Sequence, residues 1–120
     1  MEKGLEISLL LDFYGDMLTE KQREAIENYY NNDLSLGEIA NNLGITRQGV
    51  RDAIKKSEAI LFNLEDKLGL AKKFGEMQKG VERIVECAER IDYYNRRLFR
   101  SKDVQDSVTT IMEIAQSLCD

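Results

Sequence analysis

The sequence predicts an all-α protein, and three observations favour this fold class. The 120-residue chain contains no proline, and residues that favour helices dominate its composition. Its apolar residues recur at the three- and four-residue spacings of amphipathic helices. All-β chains need many turn residues, which this sequence does not supply. A chain of this length can also bury a core without disulfides or a structural metal.

Two helices are expected in the first part of the chain. The first spans about residues 2–18 and has the amphipathic stripe that a core-facing helix requires. This stripe consists of Leu5, Leu9, Leu10, Phe13, Tyr14 and Met17. Thr19 opens the second helix, because Gln22 completes a Thr-x-x-Gln capping box that satisfies two end amides. The turn-favouring residues 31–33, Asn-Asn-Asp, end it.

The segment LSLGEIANNLGITRQGVRDAIKK predicts two further helices joined by a sharp turn. Ser35 and Glu38 form a second capping box at the start of the third helix. Gly44 suits the left-handed residue at which such a helix ends. Thr46 caps the fourth helix, whose apolar spacing continues until Gly69 interrupts it.

This segment also meets the requirements of a helix-turn-helix, in which two short helices cross at a steep angle. The residues expected to build the motif are Ala40, Gly44, Ile45 and Val50. Ala40 is small enough for the closest approach, Ile45 fills the gap between the helices, and Val50 closes the core beneath. Because all these positions agree at once, the sequence predicts a true helix-turn-helix.

The outward face of the fourth helix is the candidate DNA-binding site. Its candidate residues are Thr46, Arg47, Gln48, Arg51, Lys55 and Lys56. Arginine pairs with guanine and glutamine with adenine, so Arg47 and Gln48 suit base edges. Basic residues further along such a helix usually contact phosphates. The alternative is an ordinary solvated surface, since Asp52 and Glu58 weaken the local positive charge.

The charge and the reactive residues of the chain limit its function. The net charge is −5, and only residues 35–61, with four basic and three acidic side chains, are not net acidic. This surplus is small for DNA binding, which depends on neutralising phosphates. The chain has no histidine, and its two cysteines lack metal-ligand spacing. We therefore expect no metal site, no cofactor and no enzymatic activity. With no signal peptide or membrane span evident, we expect a cytoplasmic protein.

A heptad pattern follows Gly69 and predicts an antiparallel helical hairpin with a polar turn at residues 100–103. Its seam consists of Phe74, Met77, Val81, Ile84, Ala88, Ile91, Asn95 and Leu98, and then of Val104, Val108, Ile111, Ala115 and Leu118. We thus expect a helix-turn-helix domain over residues 1–68 and a hairpin over residues 69–120. We expect the hairpin to form a homodimer. The alternative is that its seam is buried within one chain.

The segment LTEKQREAIENYYNNDLSLGEIANNLGITRQGVRDAIKKSEAIL resembles region 4 of the bacterial sigma-70 class. The chain also resembles the YlxM family, on the blocks ISLLLDFYGDMLTEKQREAIENYYNNDLSLGEIA and GITRQGVRDAIKK. This resemblance implies a sigma region 4-like helix-turn-helix bundle followed by the hairpin. It also implies a regulatory role in the signal recognition particle pathway, because genes of such proteins typically lie beside those of the particle's GTPases. The alternative is a protein- or RNA-interaction module of that particle that does not read DNA.

Overall fold

The computed structural model describes residues 2–119, and within them it contains six α-helices and no strand. The helices are α1 (Lys3–Tyr14), α2 (Glu20–Tyr30), α3 (Leu36–Leu43), α4 (Arg47–Leu68), α5 (Leu70–Tyr94) and α6 (Lys102–Cys119). A 3-10 turn, Gly15–Met17, follows α1, and a π-helical turn, Asn95–Phe99, follows α5. The predicted all-α fold is confirmed. Over the same residues, no helix is long and apolar enough to cross a membrane.

Local hydrogen bonds set the helix ends at the residues that the sequence indicates. Thr19 Oγ1 accepts from the Gln22 amide, and Gln22 Oε1 accepts from the Thr19 amide at 3.0 Å. Ser35 and Glu38 form the same reciprocal pair at the start of α3. Gly69 ends α4 in the left-handed conformation, at φ 63°. Each signal acts within one turn of helix, so it operates independently of the tertiary fold.

The chain divides after Ala71 into two compact units, whereas the expected domains meet at residues 68 and 69. Helix α4 ends at Gly69, but the first residues of α5 still belong to the first unit, and Ala71 is buried in its core. The Leu70 amide donates to Tyr14 Oη and the Ala71 amide donates to Glu65 Oε1, both at 3.1 Å. These bonds satisfy backbone donors at the start of α5 that have no partner within the helix. The first unit is called the helix-turn-helix unit below, and the second the hairpin unit.

The core of the helix-turn-helix unit consists of two clusters that share α2 and α4. The buried residues of the first cluster are Ile7, Leu10, Leu11, Tyr14, Leu18, Ile26, Leu61 and Ala71. Those of the second cluster are Ala25, Ile39, Ala40, Val50 and Ile54. The predicted stripe of α1 is partly wrong, because Leu5 and Met17 are exposed. Helix α1 is apolar over most of its circumference, and the 3-10 turn changes the direction of Met17, so spacing alone did not fix which side packs inward.

The hairpin unit consists of the remainder of α5, the π-helical turn and α6. Its buried residues, Val81, Ala88, Asn95, Val108 and Ala115, repeat every seven positions along each helix. Near the turn, residues 91 and 104 line one groove, and at the far end, residues 81 and 115 line another. The two helices are therefore antiparallel, as the predicted hairpin requires.

The predicted hairpin seam is only half correct. The row at Val81 and Ala88 is buried, but the second predicted row is exposed. That exposed row consists of Met77, Ile84, Ile91, Leu98, Val104, Ile111 and Leu118. The residues beside the buried row are instead partly buried, namely Gln78, Val85, Asp92, Ser101, Gln105 and Met112. The two helices therefore contact each other through the buried row and the partly buried residues beside it, not through the second predicted row.

Polar groups near the turn lie on the side where the two helices contact each other. The buried Asn95 side chain accepts from the Ser101 amide and donates to the Ser101 carbonyl, both at 2.9 Å. A hydrogen bond from Gln105, and secondarily one from Arg96, lowers the pKa of Asp92 below its ordinary value. The Asn95 bonds join the end of α5 to the turn, and Asp92 and Gln105 are partly buried beside the buried row. Apolar spacing alone does not reveal such pairs.

Candidate nucleic-acid interface

Helices α3 and α4 form the helix-turn-helix, and residues 44–46 connect them. Gly44 lies at φ 68°, where a side chain would be strained, and the Ile45 amide donates to the Ala40 carbonyl at 3.1 Å. Ile45 is half-buried and packs on the second core cluster, while Ala40 and Val50 are buried in it. The four residues expected to build the motif thus lie together at the junction of the two helices.

The Thr46 side chain fixes the start of α4. Its Oγ1 accepts a hydrogen bond from the Gly49 amide at 3.0 Å, as an N-cap residue does. The hydroxyl oxygen is therefore used within the fold, although the residue itself is exposed. The other five candidate residues, Arg47, Gln48, Arg51, Lys55 and Lys56, are also exposed.

The candidate side chains lie on two adjacent stripes of α4, because residues four apart share a helix face. Arg47, Arg51 and Lys55 form an entirely basic stripe. Gln48, Asp52 and Lys56 form the second stripe, in which the Gln48 amide donates to Asp52 Oδ1 at 2.9 Å. Gln48 must release this bond before its amide can pair with a base. The basic stripe is consequently better placed than the second stripe to contact DNA.

Arg47 lies across the start of α3. A Cβ atom added to Gly37 would come within 3.2 Å of the Arg47 guanidinium, so the absence of a side chain at Gly37 permits this close approach. The two residues line an open groove of about 450 Å³ together with Ser35, Asn41 and Ile45. Arg47 thus presents its charge between the first turn of α3 and the first turn of α4.

Arg51 and Lys55 line a second groove, of about 390 Å³, on the side of α4 that faces α2. Tyr29 and Leu36 also line this groove, and Lys3 at the start of α1 contributes a further positive charge. Lys3 and Tyr29 are not among the residues that the sequence predicts for this face. No local signal identifies them, because only the packing of α1 and α2 against α4 brings them to this face.

Glu58 lies in the same groove, but its carboxylate is used within the fold. It accepts a hydrogen bond from Tyr30 Oη and forms an ion pair with Lys3 Nζ at 3.2 Å. Burial, and then the bond to Glu58, raise the pKa of Tyr30 well above its ordinary value. Glu58 is therefore compensated by α1, and Asp52 is the acidic residue that opposes the basic stripe most directly.

A family model described as "Putative helix-turn-helix protein, YlxM / p13 like" matches residues 1–115. The chain belongs to this UPF0122 family. Membership agrees with the resemblance described above and with the α3–α4 geometry. The family is described by its helix-turn-helix, and that description names no enzymatic reaction.

Relatives in several bacteria match the chain over most of its length. A UPF0122 protein of Acetivibrio thermocellus is 43% identical over 98% of this chain and 100% of its own length. One from Caldanaerobacter subterraneus is 58% identical over 69% of this chain and 71% of its own length. One from Bacillus thuringiensis is 42% identical over 82% of this chain and 89% of its own length. The Acetivibrio relative therefore aligns with both units of the chain.

Proposed function

We propose that this protein is a cytoplasmic, DNA-binding regulator that inserts α4 into the major groove of duplex DNA. The observation that carries the proposal is the basic stripe of Arg47, Arg51 and Lys55. It is exposed along the second helix of the motif, the helix that reads bases in proteins of this type. The compensation of Glu58 by Lys3 supports the proposal, because it leaves the stripe more basic than a residue count indicates.

The residues of α4 have different roles in this proposal. Arg47 and Gln48, in the first turn, contact base edges, with guanine and adenine as their respective partners. Arg51, Lys55 and Lys56 contact phosphates and set the register of the helix on the duplex. Thr46 keeps its capping bond and approaches the DNA backbone at the start of α4. Asp52 opposes binding and keeps non-specific affinity low, since it adds repulsion at every sequence.

A second candidate function is interaction with protein or RNA components of the signal recognition particle. The resemblance to the YlxM family carries this candidate, and the tip of the hairpin favours an RNA ligand. There the Arg97 guanidinium lies 3.6 Å from the centre of the Tyr93 ring, and both side chains are exposed. Arginine and aromatic side chains are groups on which unpaired bases stack. Under both candidate functions, we propose that the protein acts in the signal recognition particle pathway.

Fluorescence-anisotropy titrations test the two candidates directly. The ligands are a duplex from the protein's own upstream region, a scrambled duplex and the signal recognition particle RNA, each at low and physiological salt. For a DNA reader, Arg47→Ala should weaken binding to the upstream duplex by about 1–3 kcal/mol and reduce its preference over the scrambled duplex. Lys55→Ala should weaken binding to both duplexes alike and should reduce the slope of log affinity against log salt concentration by about 1, as expected for the loss of one phosphate contact.

Arg83→Ala is the matched control, because it removes an exposed arginine from α5, outside the helix-turn-helix unit. It should leave duplex binding unchanged. Equal affinity for both duplexes, or equal losses in the Arg47 and Arg83 variants, would contradict sequence reading by α4. Tighter binding to the RNA than to either duplex would favour the second candidate.

A further inference from the structure

The hairpin unit exposes one continuous apolar face. This hairpin face consists of Met77, Ile84, Ile91, Tyr94, Phe99, Val104, Ile111, Ile114 and Leu118. Their exposed fractions range from 38% for Val104 to 75% for Phe99, so each leaves a large part of its side chain in water. Single exposed apolar residues are normal on soluble proteins, but contiguous patches of this kind mark interaction sites.

The apolar residues of both helices lie on the same side of the hairpin. Ile84 and Ile91 are seven residues apart on α5, as Val104 and Ile111 are on α6, so each pair forms a row along its helix. The two rows meet near the turn, where Ile91 and Val104 line a groove of about 290 Å³ with Tyr94 and Phe99. The face therefore extends across both helices.

None of the nine residues of the hairpin face is charged, although Arg90 borders its groove near the turn. The residues that fall between its members on the same side, Gly80, Cys87 and Ser107, are uncharged as well. The remainder of the α5 surface is highly charged, with Glu82, Glu86 and Glu89 among its exposed residues. A partner for this face needs an apolar surface of similar length, and it meets the charge of Arg90 at the edge of the groove.

We infer that a second copy of this chain covers the hairpin face, so that two hairpins form a four-helix bundle. A two-fold axis places the same patch of each copy against the other, and an uncharged apolar face is complementary to itself. Its side chains expose on the order of 1,000 Å², comparable with the roughly 800 Å² that each partner contributes to a standard interface. A foreign protein would need to supply a matching two-helix face, whereas a second copy already has one.

The small core of the hairpin supports the same inference. Among its buried residues, Asn95 is polar and Ala88 and Ala115 are small, which leaves Val81 and Val108 as the larger apolar groups. Two helices held by so few apolar contacts gain little stability, and bundles gain it by adding further helices. This inference goes beyond DNA binding and does not rest on it.

Sedimentation velocity over a range of protein concentrations tests the inference. At about 100 µM, where an interface of this size should be occupied, the wild type should sediment with twice the 13.8 kDa mass of one chain. The dimer should persist at high salt, because its interface contains no ion pair. DNA binding by α4 should weaken under the same conditions, so a failure of one proposal is distinguishable from a failure of the other.

Two charges introduced on the face should dissociate the dimer. The double variant Ile84→Glu, Ile111→Glu should sediment at the mass of one chain, because association would bury four unpaired carboxylates per dimer. The control is Met17→Glu, since Met17 is an apolar residue of the helix-turn-helix unit that is 66% exposed, more than Ile84 or Ile111. This control should remain dimeric. A monomeric wild type at 100 µM, or a dimeric double variant, would overturn the inference.

The two cysteines provide a second test that does not depend on a charged substitution. Both thiols are free and exposed in the single chain. Cys87 lies on the hairpin face, three residues after Ile84, whereas Cys119 lines a groove with Val81 and Glu82 away from that face. In a Cys119→Ser protein, the reaction of Cys87 with a maleimide should slow as protein concentration rises. In a Cys87→Ser protein, the Cys119 rate should not change, and concentration-independent rates in both would overturn the inference.

Discussion

The helix-turn-helix unit and the hairpin unit contain similar apolar residues but bury them to very different extents. In the first unit, Ile7, Ile26, Ile39 and Leu61 are completely buried. Among the described residues of the hairpin unit, every isoleucine and leucine is exposed, and valine is the largest apolar residue that is buried. Four helices can surround a core, whereas two helices share only one line of contact. This difference in burial supports the proposal that a second copy of the chain covers the hairpin face.

The largest expected effect comes from one isoleucine in each unit. Ile39→Ala should destabilise the protein by about 2–5 kcal/mol, because it leaves a cavity in a closed core. Ile91→Ala, at a side chain that is 46% exposed, should cost less than about 1 kcal/mol in dilute protein. Urea denaturation followed by circular dichroism measures both. The cost of Ile91→Ala should increase with protein concentration if the hairpin face is an interface. Equal costs for Ile39→Ala and Ile91→Ala at every protein concentration would contradict the difference between the two units.

Glycine substitutions should have opposite signs in the two units. Gly44→Ala should destabilise the turn by about 1–2 kcal/mol, because alanine is strained at φ 68°. Gly75→Ala should stabilise the hairpin by about 0.5–1 kcal/mol, since Gly75 lies within α5 and an added Cβ meets no neighbour. Thermal melting of both variants checks the pair. A stabilised Gly44 variant would contradict the left-handed turn.

The N-cap residues test whether the two units are alike in their local structure. Thr46 Oγ1 accepts from the Gly49 amide at 3.0 Å, and Ser101 Oγ accepts from the Val104 amide at 3.2 Å. Thr46→Ala and Ser101→Ala should each cost about 1 kcal/mol in urea denaturation. A large difference between the two free-energy costs would mean that the units differ in helix capping as well as in core burial. Thr110→Ala, on the exposed surface of α6, provides a reference within the hairpin.

At neutral pH, Tyr30→Phe should cost about 1 kcal/mol, because it removes one hydrogen bond to Glu58. Its signature is the pH dependence. Because the pKa of Tyr30 is raised in the folded state, the unfolded chain loses this proton first, so stability should fall as pH rises above about 10. Tyr30→Phe should make this alkaline loss shallower in denaturation midpoints recorded from pH 8 to 11. Part of the loss should remain, since burial and Glu65 also raise the pKa of Tyr14.

An unchanged pH profile in Tyr30→Phe would show that the Tyr30–Glu58 bond does not form in solution. Tyr93→Phe, on the exposed tip of the hairpin, is the matched control. It removes a tyrosine hydroxyl from the other unit and should leave the alkaline loss as it is in the wild type.

Much of the fold follows from signals that act within a few residues. Thr19, Ser35 and Thr46 mark helix starts, while Gly44 and Gly69 mark helix ends, and the structure has each of these boundaries. The candidate DNA-binding residues also follow from local spacing, because positions on one helix determine which side chains share a stripe. The neighbours of these residues do not follow from spacing. The pairing of Lys3 with Glu58 and the approach of Arg47 to Gly37 each depend on another helix.

The sequence by itself determined the helix starts marked by Thr19, Ser35 and Thr46, the helix ends at Gly44 and Gly69, and the helix-turn-helix. Capping bonds and a left-handed glycine are satisfied within one turn of backbone. The tertiary structure alone decided which side of a helix faces inward where more than one side is apolar. In α1 this choice exposed Leu5 and Met17, and in the hairpin it buried the row with Asn95 and left Ile84 and Ile91 at the surface. Apolar spacing identifies a surface that can be buried, whereas polar pairing and the number of neighbouring helices decide whether it is buried.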